Sequence, residues 1–308
     1  MLAESPDRQL LHASTRRNVR IWRCRVVLFP DTSQIAKTGH LQTSVNIRSG
    51  CPSTPMDCIV TMRRPLEDIW RTIVPPAGDP HGPLSPLLLA LTVVTGLVDA
   101  FSYLVLGHVF VANMTGNVVF LGFALAGAAG FSVSASLSAL GAFCLGALAG
   151  GRLGTYLHAH RGRLLSMASA AEALLVGGSV AIAATASNPG SSGTRYILIV
   201  LLGLAMGVQN AVARKLAVPD FTTTVLTLTI TGVVADGRLA GGAESRAGRR
   251  LLSVLAMFVG GVAGALLILR VNRALGIAAA LGVLCVVAAT GATVSRTNKD
   301  WIHPRPAN

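Results

Sequence analysis

The residues of this chain best suited to chemistry lie where water should not reach. Asp99 stands about 15 residues into an apolar run that begins at Leu84. A carboxylate at the centre of a bilayer costs about 2.5–3.5 kcal/mol on insertion scales. The group must therefore be protonated, paired or turned toward a polar cavity. Thr92, Thr95, Gly96, Asp99, Ser102 and Tyr103 follow spacings of three and four, so one helical face carries them all. Such a stripe suits a site that responds to protons or cations. It equally suits a structural carboxyl held by a neighbouring helix. Asn113, Thr115 and Asn117 follow in Val111-Ala-Asn-Met-Thr-Gly-Asn117. Amides and hydroxyls in hydrocarbon need internal partners. A glycine among them invites a helix break, and broken helices offer backbone groups to ligands and ions in transporters. Interhelical hydrogen bonding is the alternative, worth about 0.6–2 kcal/mol per contact.

A second group lies about 110 residues further on. Gly203, Gly207, Asn210 and Arg214 share a helical face, with Gln209 beside them. Asp220-Phe-Thr-Thr-Thr224 follows, and Thr223, Thr227 and Thr231 form a hydroxyl stripe at helical spacing. Threonines also bond the carbonyl four residues back, which would leave that stripe purely structural. Asp220 and Asp236 flank the stretch and could simply pair with Arg214 or Arg238. Glu172, inside another apolar run, is a second buried-carboxyl candidate. Three matches link the two groups. Gly96-Leu-Val-Asp-Ala100 aligns with Gly207-Val-Gln-Asn-Ala211, Met114-Thr-Gly-Asn117 with Leu226-Thr-Leu-Thr229, and Phe143-x-x-Gly146 with Phe258-x-x-Gly261. The offset drifts slowly, as small loop insertions would cause. A duplication would put Asn210 at the position of Asp99.

These residues must be positioned by lipid-embedded elements. The chain has 308 residues, 52% apolar and 13% charged, with 33 glycines. A soluble domain is about 25% charged, so too little charge remains to cover a soluble surface. Eight apolar segments stand near 84–106, 109–130, 132–157, 164–187, 195–216, 219–237, 250–269 and 274–294, and a spanning helix needs about 20 such residues. The second and sixth are interrupted by polar side chains. The net charge of +13 could suggest a nucleic-acid partner, but the Lys and Arg cluster between apolar runs, which is the positive-inside pattern. With eight crossings the loop cations split ten inside and seven outside. If the second and sixth segments do not cross fully, the split becomes fourteen and three. The second arrangement obeys the rule better, with both chain ends cytoplasmic. Six crossings would make the halves (about 84–187 and 195–294) inverted, and eight would make them parallel. Gly146-x-x-x-Gly150-x-x-x-Gly154 and Gly260-x-x-x-Gly264 fit close helix packing.

Several function classes drop out. The cysteines, Cys24, Cys51, Cys58, Cys144 and Cys285, form no CxxC pair, and no zinc or disulfide framework follows. His158-Ala-His160 in a basic loop reads as a solvated turn. No catalytic triad, P-loop, haem motif or HExxH occurs, so neither enzyme, cofactor nor metal is expected. Residues 1–83 are polar, with no sustained period, and read as a disordered tail. Translation starting at Met56 or Met62 is an alternative. Val26-Val27-Leu28-Phe29 is too short for a secretory signal core. Leu66–Val74 is a short amphipathic segment, and residues 295–308 read as a cytoplasmic tail.

Gly96-Leu-Val-Asp-Ala-Phe-Ser-Tyr103, Val109-Phe-Val-Ala-Asn-Met-Thr-Gly-Asn117 and Gly207-Val-Gln-Asn-Ala211 with Val218-Pro-Asp220 and Thr223-Thr-Val-Leu-Thr227 together resemble the YoaK family of bacterial integral membrane proteins. The resemblance covers roughly 84–294. Leu228 departs from it, standing where a glycine is expected. The resemblance implies a membrane protein and supplies no substrate. The sequence therefore predicts an all-α polytopic bundle of six to eight spans with two related halves, in a bacterial plasma membrane. Its partners would be the lipid bilayer and a small molecule or ion, with self-association open and no nucleic acid. A transporter is the leading expectation, with Asp99 responding to protons and Asn113, Thr115, Asn117, Gln209, Asn210, Thr223 and Thr227 along the pathway. A scaffold or accessory subunit, whose polar residues only hold helices together, is the alternative.

Overall fold

Long apolar runs without internal breakers fold as helices, because lipid leaves no other partner for the backbone. In the computed structural model, residues 68–76, 79, 81–157, 160–186, 189–218, 226–235, 247–296 and 301 are described. Among them are eight principal helices and no strand: α1 (Leu84–Val105), α2 (Met114–Leu125), α3 (Val133–Tyr156), α4 (Arg161–Thr185), α5 (Ser192–Leu216), α6 (Leu226–Ala235), α7 (Ala247–Arg270) and α8 (Leu275–Ser295). Residues 68–73 add a short helical segment inside the expected amphipathic stretch. Asp220, Thr223 and Asp236 lie outside the described residues, as does the tail up to residue 67.

Six of these helices are long and apolar enough to cross a membrane. They run 21–25 residues, at about 1.5 Å per residue enough for the ~30 Å hydrocarbon core. The helix of the second segment does not reach that length, and ten helical residues of the sixth are described. α2 has 12 helical residues, so it rises only about 18 Å. The helix of the second segment starts only at Met114, and residues 109–113 ahead of it are irregular.

Sequence explains the ends. α1 stops at Gly107 and His108, whose φ values of 85° and 56° no helix accepts. The Ser132 hydroxyl caps α3 by accepting from the Ala135 N–H at 3.3 Å. His160 Nδ1 caps α4 by accepting from the Arg163 N–H at 3.2 Å.

Packing follows the small residues. α3 lies parallel to α5, and α7 parallel to α1, each pair in close backbone contact. A Cβ on Gly207 would strike the Phe143 carbonyl, and one on Gly146 the Leu204 carbonyl. In the other pair, a Cβ on Gly96 would strike the Met257 carbonyl, and one on Gly260 the Val93 carbonyl. The same relation recurs lower down, with Gly150 on Val208 and Ala211, and Gly264 on Leu97 and Ala100. α4 runs antiparallel to α8, joined by the Ser166 hydroxyl donating to the Ala288 carbonyl at 3.0 Å. α1 and α5 are 61% buried over their apolar windows, against 28–33% for the other four spans. They form the centre of the bundle. The outer helices turn Leu145, Leu148, Leu174, Phe258, Leu266, Leu269 and Val286 outward, and this apolar surface contacts the lipid bilayer.

The two ends of the bundle differ in charge. Arg71, Arg152, Arg161, Arg163, Arg214, Lys215, Arg249, Arg250 and Arg296 belong to the end where α1 starts; Arg195, Arg270 and Arg273 belong to the other.

Candidate functional site

The sharp turn after α1 sends the chain back alongside that helix as residues 109–113. Unwound backbone within a bundle has N–H groups to satisfy, and Asp99 satisfies them. Its Oδ1 accepts from the Val111 N–H at 3.2 Å and the Ala112 N–H at 2.9 Å. Asn117, one turn into α2, holds the next residue back. Its Oδ1 accepts from the Phe110 N–H at 2.9 Å and its Nδ2 donates to the Phe110 carbonyl at 2.5 Å. One carboxyl and one carboxamide therefore fix the break in the second segment. Asp99 is 5% exposed and Asn117 is fully buried.

One turn below Asp99, α5 joins the site. Gln209 Nε2 donates to Thr95 Oγ1 at 2.8 Å and to the Leu91 carbonyl at 3.2 Å. Thr95 donates in turn to the Leu91 carbonyl. This is the polar link between the two central helices. Thr92 and Ser102 of the stripe serve their own helix, on the Leu88 and Asp99 carbonyls. Two buried acceptors at this site find no partner among the described residues: Asp99 Oδ2 and Gln209 Oε1. A buried polar group left without a partner costs about 1–3 kcal/mol, so these atoms mark where a donor or cation would gain most.

The structure thus brings Asp99, Asn117 and Gln209 together through Thr95 and the 109–113 backbone. Asn210, half-buried, donates to the Met206 carbonyl of its own helix at 2.8 Å. Asn113 and Thr115 are exposed, as are Thr227 and Arg214. Glu172 is buried in α4, apart from the break, with Ser169 one turn away. No group of three or more His, Cys, Asp or Glu side chains that could hold a metal occurs among the described residues.

Three features around the break escape a reading by side-chain periodicity. Tyr103, His108, Phe110, Phe120, Phe123 and Phe131 form one aromatic cluster over it, with Tyr103 and Phe110 stacked at 5.0 Å. Arg195, from the start of α5, donates to the Gly107 carbonyl at 3.3 Å. Tyr196 and Ser134 share a 2.6 Å hydroxyl contact that ties α5 to α3. The available signal was compositional. In a chain only 5% aromatic, four of nine phenylalanines fall between 110 and 131.

A family model described as "Protein of unknown function (DUF1275)" matches residues 87–289, which include the break, most of α1, all of α5 and Glu172. The chain is 35% identical over 156 residues to the UPF0700 transmembrane protein YoaK of Bacillus subtilis (strain 168), covering 50% of this chain and 68% of that protein. No solved structure matches.

Proposed function

The chain belongs to the DUF1275 family, and on that premise we propose that it is a permease for a small molecule or ion in a bacterial plasma membrane. The observation that carries this reading is the divided role of Asp99. One oxygen holds the broken second segment while the other, buried, meets no partner among the described residues. A carboxyl spent only on structure would be expected to have both oxygens engaged. Broken helices beside a buried polar residue, at the contact of two central helices, are where transporters bind their cargo.

Two further readings belong to the proposal. The paired glycine contacts of α1 on α7 and α5 on α3 support duplicated halves. α1 and α5 run in opposite directions, which makes the halves inverted, as the six long helices require. On this reading the cation-rich end, where α1 starts, faces the cytoplasm by the positive-inside rule.

A scaffold reading has its own support: Asn117 is fully engaged by Phe110, and Thr92 and Ser102 of the stripe bond their own helix. Proteoliposomes separate the two. Uptake of labelled sodium, rubidium, methylammonium, acetate and a mixed amino-acid pool would be compared for the native chain and the Asp99→Asn, Asn117→Ala double variant. A permease moves at least one probe and loses that flux in the variant. A scaffold moves none, and the variant lowers only the folded yield.

A further inference from the structure

The two buried carboxyls of the bundle are treated differently by their surroundings. Asp99 receives two backbone N–H groups. Glu172, 1% exposed, receives none: both its oxygens lack a partner among the described residues. The Ser169 hydroxyl is in the same condition, buried and unpartnered one helical turn nearer the end where α1 starts. Residues three apart on a helix have Cβ atoms about 5–6 Å from one another. The two side chains therefore share one side of α4, yet neither is the other's hydrogen-bond partner.

No described cation offsets the Glu172 carboxyl. Of the elements packed on α4, α5 carries Arg195 and Tyr196 in its first turn and Arg214 and Lys215 in its last. α8 carries Cys285, which is exposed, and is followed by Arg296. α3 carries Cys144, also exposed, and Arg152 and Tyr156 near its end. The charged groups of α4 itself are Arg161 and Arg163, at its start. None of the basic groups reaches the middle of the span. Ser166 and Ser179 on the same helix are already committed to the Ala288 and Leu175 carbonyls.

A bare carboxylate at this depth is expensive. A metal cation would need several more oxygen ligands than one carboxyl and one hydroxyl. A proton needs only the carboxyl itself. We propose that Glu172 is an exchangeable proton site of this bundle, distinct from the Asp99 site that holds the break. Glu172 gives up its proton to water and takes one back, with no other bond changed. This deepens the permease reading by assigning it a coupling proton, and it rests on that reading.

The test is infrared spectroscopy of the purified full chain, which requires no solute to move and so fails separately from the permease reading. A carbonyl band of a protonated carboxyl is expected at neutral pH. It should vanish in Glu172→Gln, persist in Asp99→Asn, shift in deuterium oxide and disappear on alkaline titration. The proton site is overturned by an absent band, a band that Glu172→Gln leaves in place, or one that neither exchanges nor titrates.

Discussion

At the scale of single residues, function and structure meet on the same side chains. Asn117 makes two hydrogen bonds to one buried peptide unit, so Asn117→Ala removes both and leaves the Phe110 N–H and carbonyl without them. The expected loss is about 1–2 kcal/mol, since polar contacts in membranes average below their upper value. Thermal unfolding in detergent would read it. Asp99→Asn keeps a carbonyl oxygen for Val111 and Ala112, so it should unfold close to the native chain while transport is lost. Equal destabilisation of the two variants with transport intact would contradict this division of roles. Asp99 was legible in the sequence because a carboxyl deep in an apolar run always asks for an explanation. Its partners were not, because they are backbone N–H groups of an unwound segment and carry no side-chain pattern. Gln209 was legible only as a polar residue near a repeat position. Its bond to Thr95 depends on how α5 meets α1, which no local spacing encodes.

At the scale of elements, the glycines decide which helices touch. Gly207→Ala places a methyl against the Phe143 carbonyl, whereas Gly178→Ala meets nothing within 4 Å. Overpacking costs about 1–3 kcal/mol, while an open helical Gly→Ala gains about 0.5–1 kcal/mol. The two variants should therefore shift thermal stability in opposite directions. The small-residue rows at 146–154 and 260–264 announced close packing correctly, but not its partners. Those emerge only once the second long helix of each half, α3 or α7, is seen against a central helix. The break after α1 offers a second check. Gly107 holds a φ of 85°, and an added Cβ would lie 3.0 Å from the Arg195 guanidinium. Gly107→Ala should cost about 1–2 kcal/mol from backbone strain alone and disturb the Arg195 contact with it. The aromatic cluster over the break was illegible for another reason: its members come from α1, α2 and the turns around them, so they share no period.

At the scale of the whole molecule, the polar interruptions of the second segment carried its topology. Asn113, Thr115 and Asn117 sit where a helix would otherwise cross. In the structure that segment is a short helix behind an unwound stretch. The loop charges weighed toward six crossings because moving only the second and sixth segments sorted the cations. The permease reading places residues 127–130 and 271–274 on one side of the membrane and Thr155 on the other. Cysteines at Ala129→Cys and Ala274→Cys should therefore react with an impermeant thiol reagent from outside intact cells, and Thr155→Cys only after permeabilisation. The most direct test of the permease reading uses the same reagent at the core. On a background without Cys24, Cys51, Cys58, Cys144 and Cys285, the single variants Asp99→Cys, Asn117→Cys and Gln209→Cys would be probed from each side, with fully buried Ile277→Cys as the control. A permease opens water to the break, so at least one of the three should label while Ile277→Cys stays silent. Silence at all three in well-folded protein would mean a dry, packed bundle and would contradict a transport role for this site.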